Sequence, residues 1–305
     1  MKGIPMKNFF TRKKPLLVAA TAALALSLSA CGGSGGGGTA SSGTDEAPYK
    51  VADNVTLTGS PTYDAIKSSG KVRIGVKQDQ PGLGFKDAAT GEYTGFDIEI
   101  AKWMAASLGM SKDKIEFKPI PSANRESAIT NGDIDYYVGT YSITDKRKQL
   151  IDFAGPYFVT GQGLLVKKDN SSINSEKDLT GKNVCSATGS TPIQNIKANF
   201  PNTKTTEFDT YSQCVEALKS GQVDAVTTDQ AILLGYAAQE PDSLKVVGQP
   251  FTTEKYGVGL KKGDTALRQF MNKTFTDGNS VWQKIYDQTL GQSGTKVEQP
   301  KVENY

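Results

Sequence analysis

The chain has 305 residues, of which 37% are hydrophobic and 22% charged, as is ordinary for a soluble globular protein. Its net charge is only +3, which argues against nucleic acid as a partner. It contains no histidine, so imidazole is excluded as a general base, metal ligand or pH switch. The composition therefore weakens most hydrolase and metalloenzyme interpretations, and we expect no metal and no cofactor.

The N-terminus has the pattern of an export signal. Basic residues between Lys7 and Lys14 precede an apolar run, Leu16 to Leu28, which is too short to span a bilayer comfortably. The run ends in Leu28-Ser29-Ala30-Cys31, which resembles the lipobox of bacterial lipoproteins. That resemblance implies a lipid on Cys31, anchoring the protein to the outer face of the cell membrane. The alternative is an ordinary secretory signal with an incidental cysteine.

A polar linker and a cysteine pair fit this exported setting. We predict a signal peptide over residues 1–30 and a lipidated, Gly/Ser-rich, flexible tether over residues 31–60. Folding outside the cytoplasm permits disulfides. The two remaining cysteines, Cys185 and Cys214, are therefore predicted to form one, the alternative being two separate buried thiols.

The folded part alternates predicted strands and helices. The predicted strands are Lys71–Val76, Ile115–Pro119, Ile134–Val138, Gly163–Lys167, Asn183–Ser186, Ala225–Thr228 and Tyr256–Leu260. The predicted helices are Phe96–Leu108, Ser122–Asn131, one near Thr144, one behind Thr191 as N-cap, one from a Thr210–Gln213 capping box, one capped by Asp229, Asp264–Phe275 and Asn279–Leu290. This alternation predicts an α/β fold of parallel sheets with helices on both faces.

Two β-rich segments divide this pattern. They lie near Gly155–Phe158 and Gly248–Phe251, and we expect the chain to cross between two lobes there. The predicted division is residues 61–158 for the first part of lobe 1, 159–250 for lobe 2, and 251–305 for the return to lobe 1. Two such lobes make a cleft that can close on a solute.

From Lys71 to Leu290 the chain resembles the polar amino-acid-binding proteins of bacterial ABC importers. Several motifs, in order and at matching spacing, carry the likeness: Gly95–Ile98, Asn131–Asp135, Ser142–Arg147, Asp152–Tyr157, Gly189–Thr191, and Gly221–Ala225 with Asp229. The resemblance implies a two-lobed, type II periplasmic-binding-protein-like fold, no enzymatic activity, and a monomer that meets permease subunits in the membrane.

The resemblance also implies a ligand site. Arg147 would clasp the α-carboxylate of the ligand with its planar fork of donors. Asp229 would pair with the ammonium group, with Gln78 standing where many relatives carry another acid. The remaining candidates are Gly139, Thr140 and Ser142 in the first lobe and Ser190 and Thr191 at a helix N-terminus. The alternatives are a surface arginine for Arg147 and a plain N-cap for Asp229.

Two further cations favour an acidic ligand. Lys77 and Arg125 occupy positions where relatives that bind glutamate or aspartate carry positive charge. Tyr211 takes the place of a histidine found in some of them. A buried side-chain carboxylate needs such counter-charge, whereas unpaired cations would reject a neutral glutamine. The alternative is that Lys77 and Arg125 are solvated surface charges.

The sequence therefore predicts a lipid-anchored binding protein that captures L-glutamate, or L-aspartate, for an ABC permease. Three alternatives stay open: an amino-acid sensor not coupled to transport, a binding protein for another polar amino acid such as glutamine, and an enzyme on the same scaffold, since some dehydratases share it.

Overall fold

Residues 47–293 and 297–305, the part of the chain that this computed structural model describes, alternate short strands with helices. The strands are β1 Val72–Val76, β2 Asp79–Gln80, β3 Gly84–Lys86, β4 Tyr93–Thr94, β5 Ile115–Pro119, β6 Tyr136–Tyr137, β7 Ile151–Thr160, β8 Gln162–Lys167, β9 Asn183–Ala187, β10 Lys204–Phe208, β11 Ala225–Asp229, β12 Leu244–Val247 and β13 Glu254–Lys261. The α-helices are α1 Pro61–Ser69, α2 Phe96–Ser107, α3 Arg125–Thr130, α4 Asp145–Lys148, α5 Thr191–Asn199, α6 Tyr211–Lys219, α7 Gln230–Gln239, α8 Thr265–Asp277 and α9 Asn279–Gln288. The predicted signal peptide, the predicted lipid site at Cys31 and the predicted tether up to residue 46 lie outside the described residues.

Two five-stranded sheets form the two lobes. The first-lobe sheet has the strand order β5-β1-β6-β13-β7, and the second-lobe sheet has the order β10-β9-β11-β8-β12. A small three-stranded sheet, β2-β3-β4, follows β1. Helices join successive strands in both lobes, as a parallel crossover requires. The α/β fold with one sheet in each lobe is thus as the sequence predicts.

Both sheets are mixed, whereas the alternation of strands and helices in the sequence predicts parallel sheets. In the first lobe β1 is parallel to β5 and β6, but β13 is antiparallel to β6 and β7. In the second lobe β9 is parallel to β10 and β11, but β8 is antiparallel to β11 and β12. The antiparallel partners flank the connections between lobes. Strand β7 is buried over most of its length. It therefore lacks the alternation of polar and apolar residues that is typical of an antiparallel strand with one solvated face, and its sequence does not indicate an antiparallel pairing.

The first change of lobe occurs later than predicted. Gly155–Phe158 lies inside β7, and the chain passes to the second lobe at Gly161, between β7 and β8. It returns between β12 and β13, over residues 248–253, a span that includes the predicted second crossing. The two connections touch, since a Cβ atom at Gly161 would lie 2.3 Å from the carbonyl oxygen of Thr252. Glycine at 161 is therefore required by the close approach of two backbones.

Helix N-termini in the second lobe follow local sequence rules. Thr210 and Gln213 form the predicted capping box at the start of α6. The cap of α5 was assigned wrongly: the helix begins at Thr191, and the Ser190 hydroxyl accepts the backbone N–H of Ile193. A serine and a threonine side by side are equivalent as caps, so the sequence alone could not choose between them.

A disulfide ties α6 to the second-lobe sheet. Cys185 of β9 and Cys214 of α6 are bonded, with their Cα atoms 5.5 Å apart, which is within the usual range for such a bridge. Both sulfurs are buried. The bridge fixes the first turn of α6, which includes Tyr211, against β9.

Both ends of the described chain pack on the first lobe. The Tyr49 hydroxyl donates to Glu99 of α2 at 2.9 Å, and the Ala52 N–H donates to the carbonyl of Ala106 at 2.8 Å. The flexible tether predicted to reach residue 60 is therefore wrong for residues 49–57, because apolar side chains among them pack on the core. At the other end, the Tyr305 hydroxyl accepts from the Phe153 N–H at 2.7 Å. Among the described helices, none has the length and apolar content needed to cross a bilayer.

Candidate functional site

Three buried cations of the first lobe share one edge of its sheet. Lys77 directly follows β1, Arg125 begins α3 and Arg147 lies in α4, and their exposed fractions are 5%, 2% and 5%. Parallel strands end at the same edge of a sheet, which brings the loops after β1 and β6 together. The alternative that these residues are solvated surface charges is therefore wrong.

Lys77 is held by a hydroxyl group rather than by a carboxylate. Its Nζ atom donates to Ser122 Oγ at 2.8 Å. Burial, followed by repulsion from the Arg125 guanidinium, lowers the pKa of Lys77 to about 7, although Asp79 acts in the opposite direction. The lysine therefore stands close to losing its proton at neutral pH, and a bound anion would favour its charged form.

Arg125 donates to backbone carbonyl oxygens. Its Nε atom lies 3.1 Å from the carbonyl of Ser122, and Nη1 lies 3.3 Å from that of Thr140. Its Cζ atom lies 4.2 Å from the ring centre of Tyr141. Backbone carbonyls fix the direction of the guanidinium without cancelling its charge. Remaining N–H donors on Arg125 are thus free to meet a carboxylate.

Arg147 joins the two lobes. Nη1 donates to the carbonyl of Ser142 at 2.7 Å, and Nη2 donates to the carbonyl of Gly189 in the second lobe at 3.2 Å. Nε forms an ion pair with Glu126 at 3.1 Å. Burial and the nearby Arg125 lower the pKa of Arg147 below its ordinary value. Glu126 immediately follows Arg125 and was missed by the sequence analysis, where it read as an ordinary helix surface acid.

Asp229 is buried at the end of β11 and does not cap the next helix. Its side chain makes no capping hydrogen bond to α7, so the N-cap alternative is wrong. Oδ2 accepts the Tyr256 hydroxyl at 2.6 Å, and Oδ1 is buried without a hydrogen-bond partner among the described residues. Burial, then repulsion from Glu254, raises the pKa of Asp229 to about 7. An unpaired buried carboxylate oxygen calls for a donor such as an ammonium group.

Hydroxyl groups line the second-lobe side. Ser190 caps α5 and lies 3.2 Å from Ser186 Oγ, and Thr191 donates to Glu254 at 3.0 Å. Burial raises the pKa of Tyr211 to about 12, so its hydroxyl stays protonated and can donate. The N-terminus of α5, the predicted helix N-terminus, is therefore capped by Ser190. Its first residue, Thr191, also contacts the first lobe through Glu254 of β13.

Two first-lobe positions have backbone constraints. Thr140 has a φ of 46°, which is unusual for a residue with a side chain, and its N–H donates to Asp97 at 2.8 Å. A Cβ atom at Gly139 would lie 2.8 Å from the Tyr137 hydroxyl and 3.1 Å from the backbone nitrogen of Lys77. Gly139 thus lets the loop after β6 approach the loop after β1.

Of the predicted site residues, Gln78 does not join the cluster. Its side chain is exposed, whereas the other ten lie buried or half-buried along the facing edges of the lobes: Lys77, Arg125, Gly139, Thr140, Ser142, Arg147, Ser190, Thr191, Tyr211 and Asp229. An exposed amide beside a buried lysine reflects the local turn after β1, where successive side chains point apart. Sequence position alone could not reveal this difference.

The lobes touch around this cluster. Thr191 Oγ1 lies 3.3 Å from Ser142 Oγ, and the Ser212 N–H donates to Asp79 at 3.2 Å. A Cβ atom at Gly189 would lie 2.7 Å from the Cα atom of Ala123. These contacts bring first-lobe cations to a second-lobe acid and hydroxyl groups, so both charged ends of a zwitterion would find partners. Within the described residues, no group of three or more His, Cys, Asp or Glu side chains could hold a metal ion.

Comparison with known proteins gives relatives of one kind. The chain is 40% identical over 249 residues to the glutamate-binding protein GluB of Corynebacterium efficiens, which covers 77% of this chain and 84% of that protein. It is 45% identical over 208 residues to the glutamine-binding protein of Geobacillus stearothermophilus, which covers 68% and 79%. The solved structure of an ancestral arginine-binding protein bound to arginine is also similar. Its TM-score is 0.68 at 40% identity, and the match covers 73% of this chain and 99% of that one.

The family model agrees with these relatives and with the fold. The model described as bacterial extracellular solute-binding proteins, family 3, matches residues 72–292, which span both lobes and the cleft between them. The relatives are binding proteins for amino acids, and the buried charges here suit an amino-acid zwitterion. The chain therefore belongs to family 3 of the bacterial extracellular solute-binding proteins, as an amino-acid-binding member.

Proposed function

We propose that this protein binds an acidic amino acid, with L-glutamate preferred and L-aspartate as the second acidic ligand. One observation carries the proposal: Lys77 and Arg125 are buried, yet within the described residues neither forms an ion pair with an Asp or Glu side chain. Burying a cation without a counter-charge is costly. A ligand carboxylate would supply that counter-charge.

The proposed roles follow from the partners that each group lacks. Arg147 binds the α-carboxylate through its remaining N–H donors, and Asp229 binds the ammonium group through Oδ1. Lys77 and Arg125 bind the side-chain carboxylate. Further hydrogen bonds come from the loop after β6 and from the second lobe: Gly139, Thr140, Ser142, Ser190, Thr191 and Tyr211. Gln78, being exposed, has no part in this arrangement.

Glutamine is the second candidate ligand. The glutamine-binding relative at 45% identity favours it, and so does the nearly equal length of the two side chains. Against it, a neutral amide would leave Lys77 and Arg125 unpaired in a closed cleft. The glutamate-binding relative shows that both specificities occur at this level of identity.

Calorimetric titration of the purified protein, freed of carried-over ligand by unfolding and refolding, tests the ligand. We expect glutamate to bind at least about 100-fold more tightly than glutamine, a difference of about 2.7 kcal/mol. Arg125→Met is expected to weaken glutamate binding by about 100-fold, because it removes one partner of a buried charge pair. Lys71→Met, at an exposed lysine near β1, serves as the charge-matched control and should change neither affinity. Tighter binding of glutamine than of glutamate by the wild-type protein would contradict the proposal.

The buried lysine should also cost stability in the absence of ligand. The pKa of Lys77 is lowered from 10.5 to about 7, so the folded protein disfavours the charged form. This cost in stability is absent above about pH 10.5, where lysine is neutral in both states. It grows as the pH falls from about 10.5 to about 7, and it is fully present below about pH 7. Lys77→Met is therefore expected to raise the free energy of unfolding by about 5 kcal/mol at about pH 6, from about 3.5 pKa units at about 1.4 kcal/mol each, with a difference that vanishes near pH 11. Urea unfolding across this range, with Lys71→Met as control, measures it. A difference independent of pH would show that the charge of Lys77 is not the cause.

We also propose that the protein is tethered by a lipid on Cys31 and delivers its ligand to an ABC permease. The apolar run ending in Leu28-Ser29-Ala30-Cys31 supports the anchor, and family membership supports transport. Mass spectrometry of the N-terminal peptide should find Cys31 carrying a diacylglycerol group. Cys31→Ser should move the protein from the membrane fraction to the soluble extracellular fraction. Equal membrane retention of both forms would refute the anchor.

Glutamate uptake by cells that lack the gene tests the delivery to a permease. We expect uptake to fall, and unchanged uptake after gene deletion would favour a sensor.

A further inference from the structure

The loop after β6 holds an aromatic ring against both site arginines. Tyr141 is fully buried, and its ring centre lies 4.2 Å from Cζ of Arg125 and 4.9 Å from Cζ of Arg147. The rings of Tyr137 and Phe153 meet it edge-on, at centroid distances of 5.2 Å and 4.9 Å. The ring is thus held firmly in place by its neighbours.

Strand β13 packs closely against this ring. A Cβ atom at Gly259 would lie 2.9 Å from Cε1 of Tyr141, so β13 fits against it only because residue 259 is glycine. The Tyr141 hydroxyl has no hydrogen-bond partner among the described residues. Burial, together with the nearby Glu126 carboxylate, raises the pKa of the Tyr141 hydroxyl, which therefore stays protonated. The contacts of Tyr141 with the two arginines are made by its ring.

An aromatic ring offsets the repulsion between the two guanidinium groups without neutralising either charge. Arg125 and Arg147 repel each other, and burial followed by this repulsion lowers the pKa of Arg147. The face of an aromatic ring is electron-rich and attracts guanidinium groups, most strongly where water is excluded. A second acid at this position would also offset the repulsion, but it would neutralise charge needed by a ligand. Glu126 already pairs with Arg147.

We propose that Tyr141 is a positioning residue that sets specificity for acidic ligands. Its ring steadies the Arg125 and Arg147 guanidinium groups near each other while leaving their positive charge available to two ligand carboxylates. This inference rests on the proposed function, because it concerns the same site and the same ligand class. Tyr141 acts through the two arginines.

Substitutions at 141 separate the ring from the hydroxyl. Tyr141→Phe keeps the ring and should leave both glutamate and glutamine affinities within about twofold of wild type. Tyr141→Leu removes the ring and should weaken glutamate binding by about tenfold, with glutamine weakened less than about threefold. Titration calorimetry of the full chain at pH 7 gives both constants. Tyr141→Met, which fills more of the space, replaces the leucine variant if that variant fails to fold.

A matched control isolates the loss of core packing. Phe275→Leu removes a fully buried aromatic ring of the first lobe whose ring contacts are with Trp103 and Tyr157 rather than with Tyr141. It should lower stability and leave the glutamate-to-glutamine affinity ratio unchanged. The proposal is overturned if Tyr141→Leu weakens both ligands equally, or if Tyr141→Phe behaves like Tyr141→Leu.

A second measurement does not depend on the ligand. In a double-mutant cycle of Tyr141→Leu with Arg125→Met, followed by urea unfolding, the two losses should be non-additive, because each removes the same contact. Strict additivity would overturn the proposed role of the ring. If wild type shows no preference for glutamate, the proposed function fails, and the cycle still decides whether the ring stabilises Arg125.

Discussion

The burial of three cations in one cleft is the constraint on which the rest of the site depends. Lys77, Arg125 and Arg147 are nearly inaccessible to water, and Glu126 is the one described carboxylate that pairs with any of them. The protein stabilises these charges through carbonyl and hydroxyl oxygens and the rings of Tyr137 and Tyr141, which attract a cation without neutralising it. The first-lobe side of the site therefore carries Lys77 and Arg125, which pair with no described carboxylate and whose charge a bound anion can offset.

The two lobes supply different binding groups for the proposed ligand. The first lobe supplies the cations, and the second supplies Asp229 and the hydroxyl groups around α5 and α6. A zwitterion with an extra carboxylate would join these sets, so binding and lobe closure would stabilise each other. Direct contacts, such as that of Arg147 with the carbonyl of Gly189, contribute to the same closed arrangement. The disulfide beneath Tyr211 keeps the second-lobe wall in place.

Much of the fold could be predicted, and so could the burial side by side of several candidate site residues, because local rules and family spacing determine them. Alternating strands and helices gave the α/β class, and basic residues in recognisable segments gave Lys77, Arg125 and Arg147. The antiparallel crossing strands could not be predicted, since β7 is buried over most of its length and carries no periodic signal. Tyr141 and Glu254 were also missed. Each looks like an ordinary core aromatic or surface acid until tertiary contacts place it beside the cations or Asp229.

The most direct test of the central claim is a crystal structure of the protein grown with L-glutamate. We expect the side-chain carboxylate within hydrogen-bond distance of Lys77 Nζ and Arg125, the α-carboxylate on Arg147, and the ammonium group on Asp229 Oδ1. A ligand whose side-chain carboxylate lies away from both Lys77 and Arg125 would contradict it. So would a structure in which these two cations stay unpaired while glutamate occupies the cleft.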